Sequence, residues 1–233
     1  MEKTYPRISY FFIGVLLCSL VGFHFTYTMQ FPTFKGLSAV HHFHGAMLMS
    51  WFAMLIVQPF LISYKKYAWH RQLGKLSYIL VPLILLSIFM VTKVSYYRIL
   101  TQQPKAVAIG GLALDVPDIL VFGLFYVLAI INRKNSAAHM RYMVGTSLLM
   151  IGPGLGRALI IFGGIPFPVA VTYTIYVAEL ITVLFIAFDY VKDHSIEPYL
   201  VVLFGIAFLH ICWSFQMADW WQAFGTWFVK VFF

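Results

Sequence analysis

Residues 73–96, LGKLSYILVPLILLSIFMVTKVSY, contain no charged side chain between Lys75 and Lys93. A helix needs about 20 predominantly apolar residues to cross the roughly 30 Å hydrocarbon layer of a bilayer. The apolar residues here follow one another without the alternation that is typical of a half-buried strand. Because a helix satisfies its backbone N–H and C=O groups within lipid, the stretch predicts a transmembrane helix.

Comparable apolar stretches recur along the whole chain. Of its 233 residues, 61% are hydrophobic and 10% are charged, whereas an ordinary soluble domain is about 45–50% apolar and about 25% charged. We therefore expect one all-α domain over residues 1–233, a polytopic helical bundle of about seven spans in the lipid bilayer. The predicted spans are Ser9–Tyr27, Val40–Ser63, Leu73–Tyr96, Ala106–Ile131, Met140–Phe162, Pro168–Tyr190 and Tyr199–Phe215.

The basic residues predict the orientation of these spans. Cytoplasmic loops carry an excess of Lys and Arg, and the larger set here is Lys3, Arg7, Lys65, Lys66, Arg71, Lys75, Arg133, Lys134, Arg141 and Lys192. The opposite side carries Lys35, Lys93, Arg98, Lys105 and Lys230. The N-terminus is therefore expected in the cytoplasm and the C-terminus outside. This distribution explains the net charge of +8 without a nucleic-acid partner. The aromatic C-terminal tail is expected to form an interfacial helix.

A first candidate site combines two histidines and two aspartates at the outer ends of spans two and four. His41 and His44 are three residues apart and can share a helix face, as can Asp115 and Asp118. Together they could bind one divalent metal ion, which would suit a metal-dependent membrane hydrolase. Alternatively, the histidines face lipid headgroups, and Asp115 is an N-cap with Asp118 in the first helical turn.

A second candidate site is a buried polar network. Asp118, Arg157 and Glu179 all lie within predicted spans, where an unpaired charge is costly. The network could line an outward-open cavity for a small solute or proton, or it could be a structural ion pair. Glu179, near the middle of span six, is expected to pair with Arg157 or to be protonated.

A third candidate site involves histidines at the starts of two spans. WHRQLGKLSY around His70 and AHMRYMVGTSL around His139 follow basic loops in similar positions and suggest two related helix pairs. Their equivalent depth permits bis-imidazole ligation of a b-type heme. Alternatively, both rings lie at the membrane interface.

The segments HHFHGAMLMSW, QPFLISYKKYAWHRQLGKLSY and AAHMRYMVGTSLLMIGPGLGR resemble a broad group of bacterial multi-pass membrane proteins of uncharacterised activity. The resemblance covers about residues 40–157 and implies a bacterial inner-membrane protein. The chain is also similar to the transmembrane ascorbate-reducible b-type cytochromes, in which paired histidines hold two hemes. That similarity implies His44, His70 and His139 as heme ligands, although span four lacks the histidine that the pattern expects.

The sequence thus leaves several functions open. A heme-binding or redox protein rests on His44, His70 and His139, and solute or proton transport rests on Asp118, Arg157 and Glu179. A metal hydrolase and an accessory subunit of a larger membrane complex are further alternatives. A homo-oligomer is also possible. The common hydrolase, nucleotide-binding, c-type heme and zincin signatures are missing from the chain.

Overall fold

The structure is a computed structural model that describes residues 7–233. Lys3, one of the basic residues used for the orientation, lies outside these described residues. Within them the chain forms α-helices and one short 3-10 turn at Thr28–Gln30, and no strand. The helices are α1 (Ile8–Phe23), α2 (Ala39–Ser63), α3 (Tyr67–Leu100), α4 (Lys105–Ile131), α5 (Ser136–Leu149), α6 (Ile151–Gly163), α7 (Phe167–Val191), α8 (Glu197–Ser214) and α9 (Asp219–Phe232).

Six helical segments between residues 7 and 233 are long and apolar enough to cross a membrane. They are α2, α3, α4, the combined segment α5–α6, α7 and α8. The all-α prediction is confirmed, and this is the architecture of a multi-pass membrane protein. The first predicted span corresponds to α1, which has 16 residues and is the shortest of the seven segments.

The predicted fifth span, Met140–Phe162, consists of two helices that meet at Met150. Pro153 explains the break, because it has no N–H to donate to the carbonyl four residues earlier. The Ser19 hydroxyl of α1 donates to the Met150 carbonyl at 3.4 Å, which supplies a hydrogen bond at the break. Close contact with α1 is possible because Gly154 meets Gly22, and no side chain separates the two backbones.

Helix α4 is the centre of the bundle. It packs against α3, α5, α8 and α9, while α2 packs on α3, and α7 lies between α6 and α8. Phe122, Phe125 and Ala129 of α4 are almost completely buried. Gly145 and Gly205 allow α5 and α8 to approach the Phe125 ring, since a Cβ atom at either glycine would collide with it. The core of the protein therefore lies around α4.

The C-terminal helix α9 packs along the N-terminal part of α4. The Trp221 indole donates to the Ile109 carbonyl at 3.2 Å, and Gly225 lies against the Ile109 side chain. At the end of the chain, the Tyr97 hydroxyl donates to the Phe233 carbonyl at 3.0 Å. Helix α9 is thus attached to α3 and α4 by specific contacts.

Candidate functional site

One face of α2 carries three polar or aromatic side chains at seven-residue intervals: His44, Trp51 and Gln58. Residues seven apart lie on the same side of a helix, about 10.5 Å from each other along its axis. All three side chains contact neighbouring helices: His44 and Gln58 lie against α3, and Trp51 lies against α5. We call these three residues the α2 stripe. It extends over most of the length of a candidate membrane span.

At the first position of the stripe, the His44 ring is held in one tautomer. Its Nδ1 lies 3.0 Å from the Ser87 hydroxyl of α3, and that hydroxyl lies 2.7 Å from the Ile84 carbonyl. A hydroxyl has one proton, which Ser87 donates to the carbonyl. Ser87 must therefore accept from Nδ1–H of His44. In the neutral ring, Nε2 then carries the lone pair.

At the middle of the stripe, Trp51 is 1% exposed and donates to the Thr146 hydroxyl of α5 at 3.3 Å. Its ring lies 5.9 Å from the Tyr126 ring of α4, centroid to centroid. The Tyr126 hydroxyl lies 2.8 Å from the Ser77 hydroxyl of α3, which donates to the Gly74 carbonyl. Two aromatic side chains with polar tips therefore occupy the centre of the bundle.

At the last position, Gln58 lies beside the start of α3. A Cβ atom at Gly74 would lie 3.6 Å from Nε2 of Gln58, and Gly74 is one helical turn from His70. The His70 ring lies next to the Gln58 backbone, but Nδ1 makes no hydrogen bond of good geometry. The buried Oε1 of Gln58 likewise has no hydrogen-bond partner within the described residues. Buried polar atoms without a protein partner are uncommon, and such atoms commonly bond to water, to an ion or to a ligand.

His139 at the start of α5 is also held in one tautomer. Its Nδ1 lies 2.8 Å from the Ala129 carbonyl of α4, and a carbonyl can only accept. Nδ1 therefore carries the proton, and Nε2 of the neutral ring carries the lone pair. His139 and His70 are close enough to interact electrostatically. The structure thus brings these two predicted ligands into one neighbourhood.

His41 has a different role from His44. Its Nδ1 accepts from the Ser38 backbone N–H at 3.1 Å, and Ser38 and His41 form a capping box at the start of α2. The Nδ1 lone pair of His41 is therefore occupied by this cap. The adjacent His42 ring is bound through Nδ1 to the Tyr27 hydroxyl at 2.6 Å.

The predicted metal site of His41, His44, Asp115 and Asp118 is not supported. No three His, Cys, Asp or Glu side chains among residues 7–233 lie close enough to hold a metal ion. The physical reason is that His41 is used for capping while His44 points to Ser87. The alternative role of Asp115 as an N-cap is wrong, because α4 begins at Lys105 and continues through both aspartates.

Asp115 and Asp118 nevertheless lie inside the bundle, in a polar neighbourhood with Arg157. Asp115 and Thr92 line a cavity of about 10 Å³, which is close to the room that one water molecule occupies. Arg157 interacts electrostatically with Asp115 and with His44. Its guanidinium lies 4.1 Å above the centre of the Phe23 ring and donates to the Pro153 carbonyl.

The partner of Glu179 is His210 in place of the expected Arg157. Oε1 of Glu179 and Nδ1 of His210 are 2.9 Å apart. Glu179 lies on the side of α7 that meets α8, whereas the Arg157 guanidinium lies over Phe23 of α1. The partner of His210 was not predictable from the sequence, because a lone histidine does not indicate which helix will face it.

The most deeply buried ion pair described among residues 7–233 was not predicted. Arg141 of α5 donates to both carboxylate oxygens of Asp189 of α7, at 2.7 and 3.0 Å, and the two side chains are 1% and 0% exposed. Arg141 was counted among the loop residues because it lies close to a basic loop. Its position inside a predicted span did indicate that it needs a partner, because an unpaired charge within a membrane helix is costly.

Comparisons of this chain with family models, with curated proteins and with solved structures found no match.

Proposed function

We propose that this chain is a heme-binding redox protein of the membrane, in which His70 and His139 ligate one heme b. The observation that carries the proposal is the fixed tautomer of His139. Metal-bound histidines usually donate their other ring N–H to a carbonyl or carboxylate, which orients the ring. The bond from His139 to the Ala129 carbonyl has this form, and His70 lies in the same neighbourhood.

The two imidazole side chains of His70 and His139 have the chemistry that ligation of a heme iron needs. Imidazole nitrogens are among the axial ligands that heme iron accepts. The buried Nδ1 of His70 and Oε1 of Gln58 make no hydrogen bond of good geometry, so there are unused polar atoms in and beside the His70 ring. A bound heme would supply one-electron transfer.

His44 is the candidate ligand at the opposite end of the α2 stripe. Its ring has the same tautomer as His139, with Nε2 available. Trp51 lies halfway along the stripe between His44 and Gln58, next to Tyr126. An α4 histidine that would complete a second heme pair is absent from the sequence, so we propose one bis-histidine heme.

We further propose that His70 and His139 lie at the cytoplasmic end of the bundle in a bacterial inner membrane. The exposed basic residues next to them support this orientation, because cytoplasmic loops are enriched in Lys and Arg. Lys65, Lys66, Arg133 and Lys134 all lie in the two connections that precede α3 and α5.

Purified protein from cells supplied with heme is expected to show a Soret band, which His70→Ala or His139→Ala should abolish. The matched control is His24→Ala, which removes an exposed histidine at the end of α1 and should leave the band unchanged. Circular dichroism and size-exclusion chromatography show whether each variant keeps its fold. A colourless, iron-free wild-type preparation would contradict the proposal.

A second candidate function is the binding or transport of protons or a small solute at Asp115, Asp118 and Arg157. The supporting observation is that three ionisable side chains lie within membrane-spanning helices, where such groups are rare and usually functional. Two of them interact electrostatically across α4 and α6. The cavity at Asp115 has room for one water molecule, and water can carry a proton to or from the carboxylate.

Proton flux in proteoliposomes tests this candidate. If it is correct, Asp115→Asn or Arg157→Ala should reduce a flux that the wild-type protein supports, while Asp219→Asn on the exposed start of α9 should not. Flux equal to that of empty liposomes for the wild-type protein would exclude proton transport. This outcome is independent of the heme spectrum, so the two functions are tested separately.

A further inference from the structure

The pair Glu179–His210 lies in an unusual place for two ionisable groups. Glu179 is at the midpoint of α7, about 18 Å from either end of that helix by the rise per residue. Both side chains are 23% exposed on the outer surface of the bundle, 2.9 Å apart. A polar pair at the middle of a candidate membrane span is therefore accessible from outside the protein.

The surface around the pair is apolar. Tyr176 and Leu180 of α7 are 50% and 58% exposed, and Phe208 and Ile211 of α8 are 45% and 53% exposed. We call these four residues and the Glu179–His210 pair the α7–α8 face. Hydrocarbon around this face offers no hydrogen-bond partner, so leaving polar atoms against lipid is costly.

The pair has one donor and one acceptor that are unused by its internal hydrogen bond. In its net neutral form the pair holds two protons, one shared between Oε1 and Nδ1 and the other on Nε2 of His210. Wherever the shared proton lies, Nε2–H remains a donor and Oε2 of Glu179 remains an acceptor.

A surface that carries a donor and an acceptor at one point is complementary to itself. In a two-fold symmetric contact, each subunit presents the same patch to the other. Nε2–H of His210 in each copy can then face Oε2 of Glu179 in the other. Hydrogen bonds between polar side chains are one of the forces that associate helices within a bilayer.

We propose that two copies of this chain associate through the α7–α8 face, with the two Glu179–His210 pairs at the centre of the interface. The exposed apolar side chains pack around this polar centre. Helix α7 packs mainly on α6 and α8, and it also contacts α1 through Phe185 and α5 through Asp189. Its exposed side at Tyr176 and Leu180 is available to the second copy. The proposal does not depend on which function the bundle has.

Disulfide cross-linking of the full chain in liposomes tests the interface without changing its charges. In a background with Cys18→Ala and Cys212→Ala, Leu180→Cys at the α7–α8 face is expected to form a cross-linked dimer. The matched control is Leu120→Cys on α4, because Leu120 is 61% exposed and Leu180 is 58% exposed. Cross-linking that is equal at both positions, or absent at Leu180→Cys, would overturn the proposal.

The polar centre is tested by Glu179→Gln and His210→Gln, with Glu197→Gln as the control for loss of a carboxylate elsewhere. Single-molecule photobleaching over a series of protein-to-lipid ratios measures the association constant. We expect a fall of about tenfold for each pair variant, consistent with the modest strength of hydrogen bonds between transmembrane helices. A wild-type protein that stays monomeric throughout, or that is held on this face by a different protein, would refute the self-association.

Discussion

Arg141→Ala is expected to lower the free energy of unfolding by about 3–5 kcal/mol, because it breaks a buried ion pair by removing the guanidinium from which Asp189 accepts two hydrogen bonds. Both side chains are almost fully buried, and the guanidinium makes two hydrogen bonds to the carboxylate. The Arg141 guanidinium also lies 5.8 Å from the centre of the Tyr199 ring of α8. The pair therefore links α5, α7 and α8 at one end of the bundle.

The measurement is reversible unfolding in mixed detergent micelles, followed by circular dichroism. Arg98→Ala, which removes an exposed arginine of α3, is the matched control and should cost about 0–1 kcal/mol. Arg141→Lys should recover only part of the loss, since an ammonium group lacks the planar fork that makes two parallel bonds. Equal losses in the free energy of unfolding for Arg141→Ala and Arg98→Ala would show that the buried pair contributes no more to stability than an exposed arginine does.

A double variant distinguishes two effects: the loss of the attraction between Arg141 and Asp189, and the cost of keeping the Asp189 carboxylate buried without Arg141. Replacing a buried ion pair by apolar residues of similar volume is often neutral or stabilising. We therefore expect Arg141→Met combined with Asp189→Leu to be more stable than Arg141→Ala. A double variant that is no more stable than Arg141→Ala would contradict this expectation, and one that is less stable than the wild type would show that the ion pair itself provides net stabilisation.

The helical architecture was predictable from the sequence because its cause is local. Apolar length and composition determine which segments can cross a bilayer, and six of the predicted spans correspond to segments that meet this condition. The break at Met150 was not predicted, although Pro153 was visible. A proline in a membrane helix can be tolerated, and here the break coincides with the close contact to α1, which is a feature of packing.

The candidate sites were less predictable because they depend on which helices meet. His41 and His44 share a spacing that suits a metal ion, yet the cap at Ser38 and the hydroxyl of Ser87 give the two rings separate roles. Glu179 illustrates the same point, since its partner His210 is 31 positions away on the next helix. Periodicity within one helix cannot identify such a partner on another.

Gly22→Ala is expected to disrupt the crossing of α1 and α6. A Cβ atom at Gly22 would collide with the Gly154 carbonyl, and one at Gly154 would lie 2.5 Å from the Ser19 Cα. Both obstacles are backbone atoms, which cannot move aside as a flexible side chain can. The helices must therefore separate, and we expect a loss of about 3 kcal/mol in the free energy of unfolding, at the upper end of the usual cost of overpacking.

Gly14→Ala is the control, because it makes the same chemical change in the same helix where nothing lies within 4 Å of the added atom. It should be neutral or stabilising by up to about 1 kcal/mol, since alanine favours the helix over glycine. Unfolding in mixed micelles measures both variants. Gly154→Ala should reproduce the effect of Gly22→Ala, because both insert a methyl group into the same backbone contact. If Gly22→Ala and Gly14→Ala were equally stable, α1 would not pack on α6 in this way, and the Ser19 bond to the Met150 carbonyl would not form either.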